Sequence, residues 1–298
     1  MTAGTEGARL LSEEMRPQRS SYARLLKIVR QNWFWIPLLI LIAWTVIPLF
    51  WTLFASFKTH IEIYSSRRIL PASYRLDSYQ AVLTDPRFAR YVFNSVYLAI
   101  TSSVLAVVVC ILASYAFARY AFRWRNLLLL VVLVPRILPR ASLIVPLYRL
   151  IVNLGLLDTY LGLIITYTAT AIPLGTWILT GFVAAVPREL EDSAIVDGAS
   201  LWQRLLYIVV PVAWPGIATI LIMSLREAWN EFPFVLAFTS SALMRTLPYQ
   251  LYLLRETMGI TDWSVVNAFT IVSVLPILIA FVVMQRYVVR GIVSGAIK

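Results

Sequence analysis

Six long apolar runs, at 33–57, 92–118, 127–148, 159–183, 212–236 and 264–287, constrain this chain more than any other feature. A helix rising ~1.5 Å per residue needs ~20 apolar residues to cross the hydrocarbon core of a bilayer, and each run is long enough. Barrel strands would show alternation over ~10 residues, whereas these runs are continuous, so the spans are expected to be helices. The reading is an all-α, polytopic membrane protein with six transmembrane helices. Composition agrees, since 60% of residues are hydrophobic and only 14% charged, against roughly half and a quarter in soluble domains. The single cysteine, Cys110, sits inside an apolar run, which excludes a disulfide scaffold.

The formal charge of +11 would suggest nucleic acid in a soluble protein. No water-exposed basic stretch here is interleaved with base-stacking aromatics, so a nucleic-acid partner is not expected. Lys and Arg instead orient membrane proteins by collecting on the cytoplasmic side. Placing both termini inside puts most of them in 1–32, 119–126, 184–211 and the C-terminal end. The outer loop 58–91 keeps Lys58, Arg67, Arg68, Arg75, Arg87 and Arg90. Residues 1–32 read as a cytoplasmic tail, in which 20–32 set Arg24, Lys27 and Gln31 on one helical side and Leu25, Ile28 and Val29 on another. That pattern fits an interfacial helix on anionic headgroups or a solvated basic lead-in to the first span. Residues 33–298 form a single six-helix domain.

The most informative loop is 184–211. Pro187 is expected at a first helical turn, with Glu189, Glu191 and Asp192 close behind, giving a short helix from about 188 to 196. Asp197-Gly198 breaks it, and Ser200 is placed to cap a second helix starting near Leu201. By physics alone this could be a membrane-surface connector.

Asp192-Ser193-Ala194, Asp197-Gly198-Ala199 and Ile208-Val209-Val210-Pro211, with 13 positions from Gly198 to Pro211, resemble the cytoplasmic signature of ATP-binding-cassette importer permeases. That family usually has Glu-Ala-Ala where this chain has Asp192-Ser193-Ala194. The resemblance continues through Ser56-Phe57-Lys58, Asn94-Ser95, Gly155-Leu156-Leu157-Asp158-Thr159-Tyr160-Leu161-Gly162 and Ala228-Trp229-Asn230-Glu231-Phe232, in order over residues 33–298. It is similar in particular to the carbohydrate-importing branch. The resemblance implies a type I importer permease in the prokaryotic inner membrane. It also implies that Arg188, Glu191, Asp192, Ser193, Ala194, Asp197, Gly198 and Ala199 form a coupling helix docked on an ATPase. The expected partners are a second, non-identical permease, two ATPase subunits, an extracytoplasmic binding protein or lipoprotein, and the bilayer. ATP and Mg would sit on the partner subunits, and this chain is expected to bind no cofactor and to be non-catalytic.

Charged residues inside spans are costly and must face protein or water. Arg136 and Arg140 stand four apart in a third span broken by Pro135, Pro139 and Pro146 and are expected on one helix face, Arg136 close to mid-membrane. They either line the translocation path or pair with Glu227 or Glu231 of the fifth span. Glu227 and Glu231, one turn apart, and Asn230 would mark the permease interface or the path. Tyr167 and Trp177 in the Thr-rich fourth span are cavity candidates, because sugars stack on aromatics; most of the threonines are expected to bond back to their own helix. Cargo readings are a disaccharide or polyol, with glycerol phosphate or another organic anion as the alternative suggested by the two arginines. An intramembrane enzyme is disfavoured, since His60 is the only histidine and no hydrolase motif is present.

Overall fold

The computed structural model describes residues 35–65, 67–256 and 261–296; the basic segment 20–32 and the last two residues lie outside the described residues. Every regular element described is helical. In chain order these are α1 (Trp35–Ser56), α2 (His60–Ser65), α3 (Asp77–Leu83), α4 (Phe88–Arg119), α5 (Arg125–Ile137), α6 (Arg140–Asn153) and α7 (Tyr160–Ala184). They continue with α8 (Arg188–Val196), α9 (Leu201–Val212), α10 (Trp214–Trp229), α11 (Pro233–Phe238), α12 (Leu247–Glu256) and α13 (Trp263–Ala296). The chain divides into two compact units at Phe54/Ala55. The first contributes most of α1; the rest of the description concerns the second.

Among the described residues four helices are long and apolar enough to cross a bilayer, namely α1, α4, α7 and the Trp263–Val283 stretch of α13, and the count reaches six if each of two bent pairs is one span. The third span, expected to be broken by its prolines, breaks at one of them, and the fifth is corrected in form. The third is α5 and α6, set at 101° to each other. Pro139 lacks an N–H and pushes Leu138 out of the helical region, so Leu138 and Pro139 are extended, with ψ of 136° and 132°. The fifth is α10, bent 79° from α9 at Ala213 and ended at Asn230, just before Pro233 opens α11. Inside α9 the turn Leu205–Val209 is π-helical, with the Val210 N–H reaching the Leu205 carbonyl. Pro211 offers no donor there, so the ladder shifts where one rung is already missing.

Three apolar cores share α4 as their common wall. At one end Cys110 and Tyr115 pack with Leu179 and Val183 of α7, Leu205 and Val209 of α9, and Ile217 and Ile220 of α10. Further along, Leu98 meets Ile151, Leu163, Phe234 and Phe238; on the third side Tyr91 and Ala99 meet Trp229, Leu247 and Phe269. Small residues let α4 and α7 approach closely, as expected for helices packed without a hydrophobic drive between them. A Cβ on Gly175 would lie 2.6 Å from the Cys110 sulfur.

Candidate coupling loop and intramembrane charge cluster

The loop between α7 and α9 folds as its local chemistry dictates. α8 starts after Pro187 with Glu189 and Glu191 in its first turn, where they favour the helix dipole. It ends in a Schellman turn: Gly198, at φ +82°, donates to the Ile195 carbonyl at 3.0 Å, and Ala199 donates to the Ala194 carbonyl at 2.8 Å. Ser200 then caps α9 in a reciprocal capping box with Gln203.

The side chains of α8 divide into two sets. Arg188, Asp192, Ser193, Asp197 and Gly198 are exposed, and Ala194 and Ala199 are half-buried. Leu190, Ile195 and Val196 are also exposed, Val196 to 88%, which leaves three apolar side chains distributed around a nine-residue helix. Glu191 departs from the expected docking set. It is buried, accepting from Arg119 Nε at 2.6 Å and from the Tyr115 hydroxyl at 2.8 Å, while Arg119 Nη2 donates to the Val186 carbonyl at 3.0 Å. The carboxylate ties α8 to α4 of its own chain. Arg119 and Tyr115, one turn apart, escape a sequence reading because their partner lies 72 and 76 residues away.

In the membrane-spanning part, Arg136 and Arg140 do not share a helix face, as expected from their spacing; they flank the α5–α6 break. They still converge. Arg136 holds Glu227 through two hydrogen bonds, one of 3.0 Å from Nη1. Arg140 reaches Glu227 at 3.3 Å and Glu231 at 2.7 Å. Glu231 likewise is not on the helix of Glu227: it follows the end of α10 and accepts from the Phe234 backbone, capping α11. Asn230, the C-cap of α10, returns its amide to the Arg226 carbonyl at 2.8 Å and is exposed. Two cations thus meet two anions at a junction of broken helices.

A cavity of about 350 Å³ opens beside this cluster, between Pro135, Arg136, Leu138 and Arg140 on one side and Thr166, Thr170 and Pro173 of α7 on the other. Trp177, half-exposed, lies one turn beyond Pro173 on the same stripe of α7. Tyr167 points the other way, buried in the core of α4, α6, α7 and α11. The spacing 166, 170, 173, 177 is the signal that would have marked the cavity face. Thr166, Thr170 and Thr180 bond back to their own helix, whereas Thr168 crosses to the Ser102 carbonyl of α4 at 3.3 Å.

At the opposite end of α4, Asn94 donates to the carbonyls of Leu243 and Arg245 and accepts from the Tyr160 hydroxyl at 2.6 Å. Ser95 accepts from the Leu247 N–H. Asp158, at φ +55°, accepts from the N–H groups of Ser240 and Ser241. These motif residues pin the segment after α11 to α4 and to the start of α7.

Residues 107–294 match the family described as binding-protein-dependent transport system inner membrane component. The chain is 32% identical to the sulfoquinovosyl glycerol transport system permease protein of Agrobacterium fabrum, over 84% of this chain and 88% of that one. It is 31% identical to the trehalose/maltose transport system permease protein of Thermococcus litoralis, over 84% and 91%. Among solved structures, a chain of a bacterial ABC transporter involved in the import of the acidic polysaccharide alginate shares the fold, with a TM-score of 0.72 at 21% identity, covering 91% of this chain and 99% of that one. With six spans counted across the two bent pairs and relatives matched over most of their length, this chain belongs to the inner-membrane permeases of binding-protein-dependent ABC transport systems.

Proposed function

We propose that this chain forms one half of the membrane path of an ATP-driven importer for a neutral sugar, a disaccharide such as trehalose or maltose or a polyol, handed over by an extracytoplasmic binding protein or lipoprotein. A second, non-identical permease supplies the other half, and two ATPase subunits carry the ATP and Mg. This chain does no chemistry of its own. Both termini and α8 face the cytoplasm, and α8 inserts into the ATPase with Asp192, Ser193, Leu190, Ile195 and Val196 exposed and Ala194 half-buried beside them. Three apolar side chains left exposed on a helix outside the spans, Leu190, Ile195 and Val196, support docking of α8 on another chain.

Sugar as the cargo class is supported by the names of the relatives; its neutrality is supported by the geometry of the charge cluster. Arg136 and Arg140 are matched by Glu227 and Glu231, so the cavity beside them holds no spare positive charge for an anion. Hydroxyls can still bridge the outer edges of the cluster, where the arginine side chains are 33% and 41% exposed. Uptake of radiolabelled trehalose, maltose and glycerol phosphate by the assembled transporter tests the reading. ATP-dependent entry of a neutral sugar is expected; entry of glycerol phosphate alone would overturn it.

A further inference from the structure

A second cavity, of about 240 Å³, lies where the end of α4 meets α8 and α9. Its walls carry three arginines (Arg119, Arg188 and Arg204), the carboxylates Glu191 and Asp192, and Tyr115. The charges in it do not cancel pairwise. Glu191 is fully engaged by Arg119 and the Tyr115 hydroxyl. No ion pair holds Arg188 or Arg204 among the described residues, and Arg204 Nε is buried there without an acceptor.

A buried guanidinium donor left unmade is unfavourable, and no group of this chain accepts from Arg204 Nε among the described residues, so the pocket is suited to an acceptor from outside the chain. A guanidinium fork matches a tetrahedral or carboxylate oxyanion best. The surroundings favour one source. Arg119 closes a 32-residue helix long and apolar enough to cross a bilayer; at ~1.5 Å per residue it is about as long as a bilayer with its headgroups is thick, so a cavity at its end fits headgroup depth. From α9, the helix of Arg204, Trp202, Leu206 and Tyr207 project outward with exposures of 59%, 53% and 76%, the amphipathic surface that settles into a headgroup layer.

We propose that this pocket binds a phosphate group, that of an anionic phospholipid in the leaflet on the α8 side, gripped by Arg188 and Arg204. The site is independent of the cargo. Lipid bound there would hold α8 at a fixed height, so that the charge of the bilayer tunes the position of the loop.

The test uses the full chain with its co-purifying subunits, reconstituted in phosphatidylcholine with or without phosphatidylglycerol, and reads retained lipid by native mass spectrometry. Retained phosphatidylglycerol should fall about five-fold for each arginine removed in R188Q and R204Q. R123Q, which removes an exposed arginine outside the pocket, should leave it unchanged. Equal losses in R123Q would mean general surface charge and overturn the proposal. Inorganic phosphate binding with the same arginine dependence, while lipid retention is indifferent to it, would replace the lipid by a soluble phosphate and overturn the lipid assignment. Unchanged lipid retention with lost subunit assembly would assign the arginines to a partner's carboxylate and overturn it equally. Should a glutamine variant fail to fold, R188K/R204K keeps the charge and lowers retention only if the fork is used.

Discussion

Arg119 and Glu191 meet at 2.6 Å with side chains only 9% and 5% exposed, fastening the last turn of α4 to the first turn of α8. Removing one member leaves the other buried without a counter-charge. Glu191→Ala is therefore expected to lower stability by about 3–5 kcal/mol, while the double change Arg119→Met with Glu191→Met recovers most of the loss. Thermal unfolding of the solubilised complex measures both. Equal losses in the single and double variants would contradict the pairing.

The exposed apolar side chains of α8 make the opposite prediction. Ile195→Asp or Val196→Asp should change the unfolding temperature little, because the side chains are 50% and 88% exposed. Each should lower uptake about ten-fold or more, the effect of one central apolar contact at a protein interface. Transport assayed beside ATP hydrolysis checks this, and full transport by Val196→Asp would remove α8 from the docking surface.

Charge balance in the intramembrane cluster is tested by neutralising it one side at a time. Arg136→Gln leaves Glu227 short of a partner and should cost about 1–2 kcal/mol, less than for a fully buried pair because the site is partly open. Adding Glu227→Gln should restore stability and, for a neutral cargo, uptake. A cargo held by the arginine charge would stay excluded in both variants, and paired melting and uptake curves separate the outcomes.

The α4–α7 contact predicts a specific rescue. Gly175→Ala puts a methyl group 2.6 Å from the Cys110 sulfur and 3.1 Å from Ile220, an overpacking expected to cost about 1–3 kcal/mol. Cys110→Ala, combined with it, should return most of that loss. Melting temperatures of the three variants decide it.

The sequence announces α1, α4, α7 and α13 because each is one unbroken apolar stretch, and hydropathy reports transfer into lipid. The prolines of the third run announce an interruption but do not say which of them makes it. Pro135, Pro139 and Pro146 look alike along the third run, yet Pro135 and Pro146 are accommodated inside helices and only Pro139 marks a break. The turn at Gly198 and the cap at Ser200 are legible because their partners lie within a few residues. Glu191 is the contrary case: three acids crowd positions 189 to 192, and only the distant Arg119 selects which one turns inward. The sequence leaves open whether Arg136 and Arg140 pair with Glu227 and Glu231, because that pairing arises across a helix break and not on a shared helix face.

The π turn in α9 shifts the phase of everything that follows it. Leu205, Val209 and Ala213 are the buried positions, a four-residue spacing that an unbroken 3.6-residue helix would carry ~40° around its axis at each step. A cysteine-accessibility scan from 201 to 213 should show protection on that wider beat, and an alignment that slips one residue near Pro211 would turn the protected stripe toward lipid.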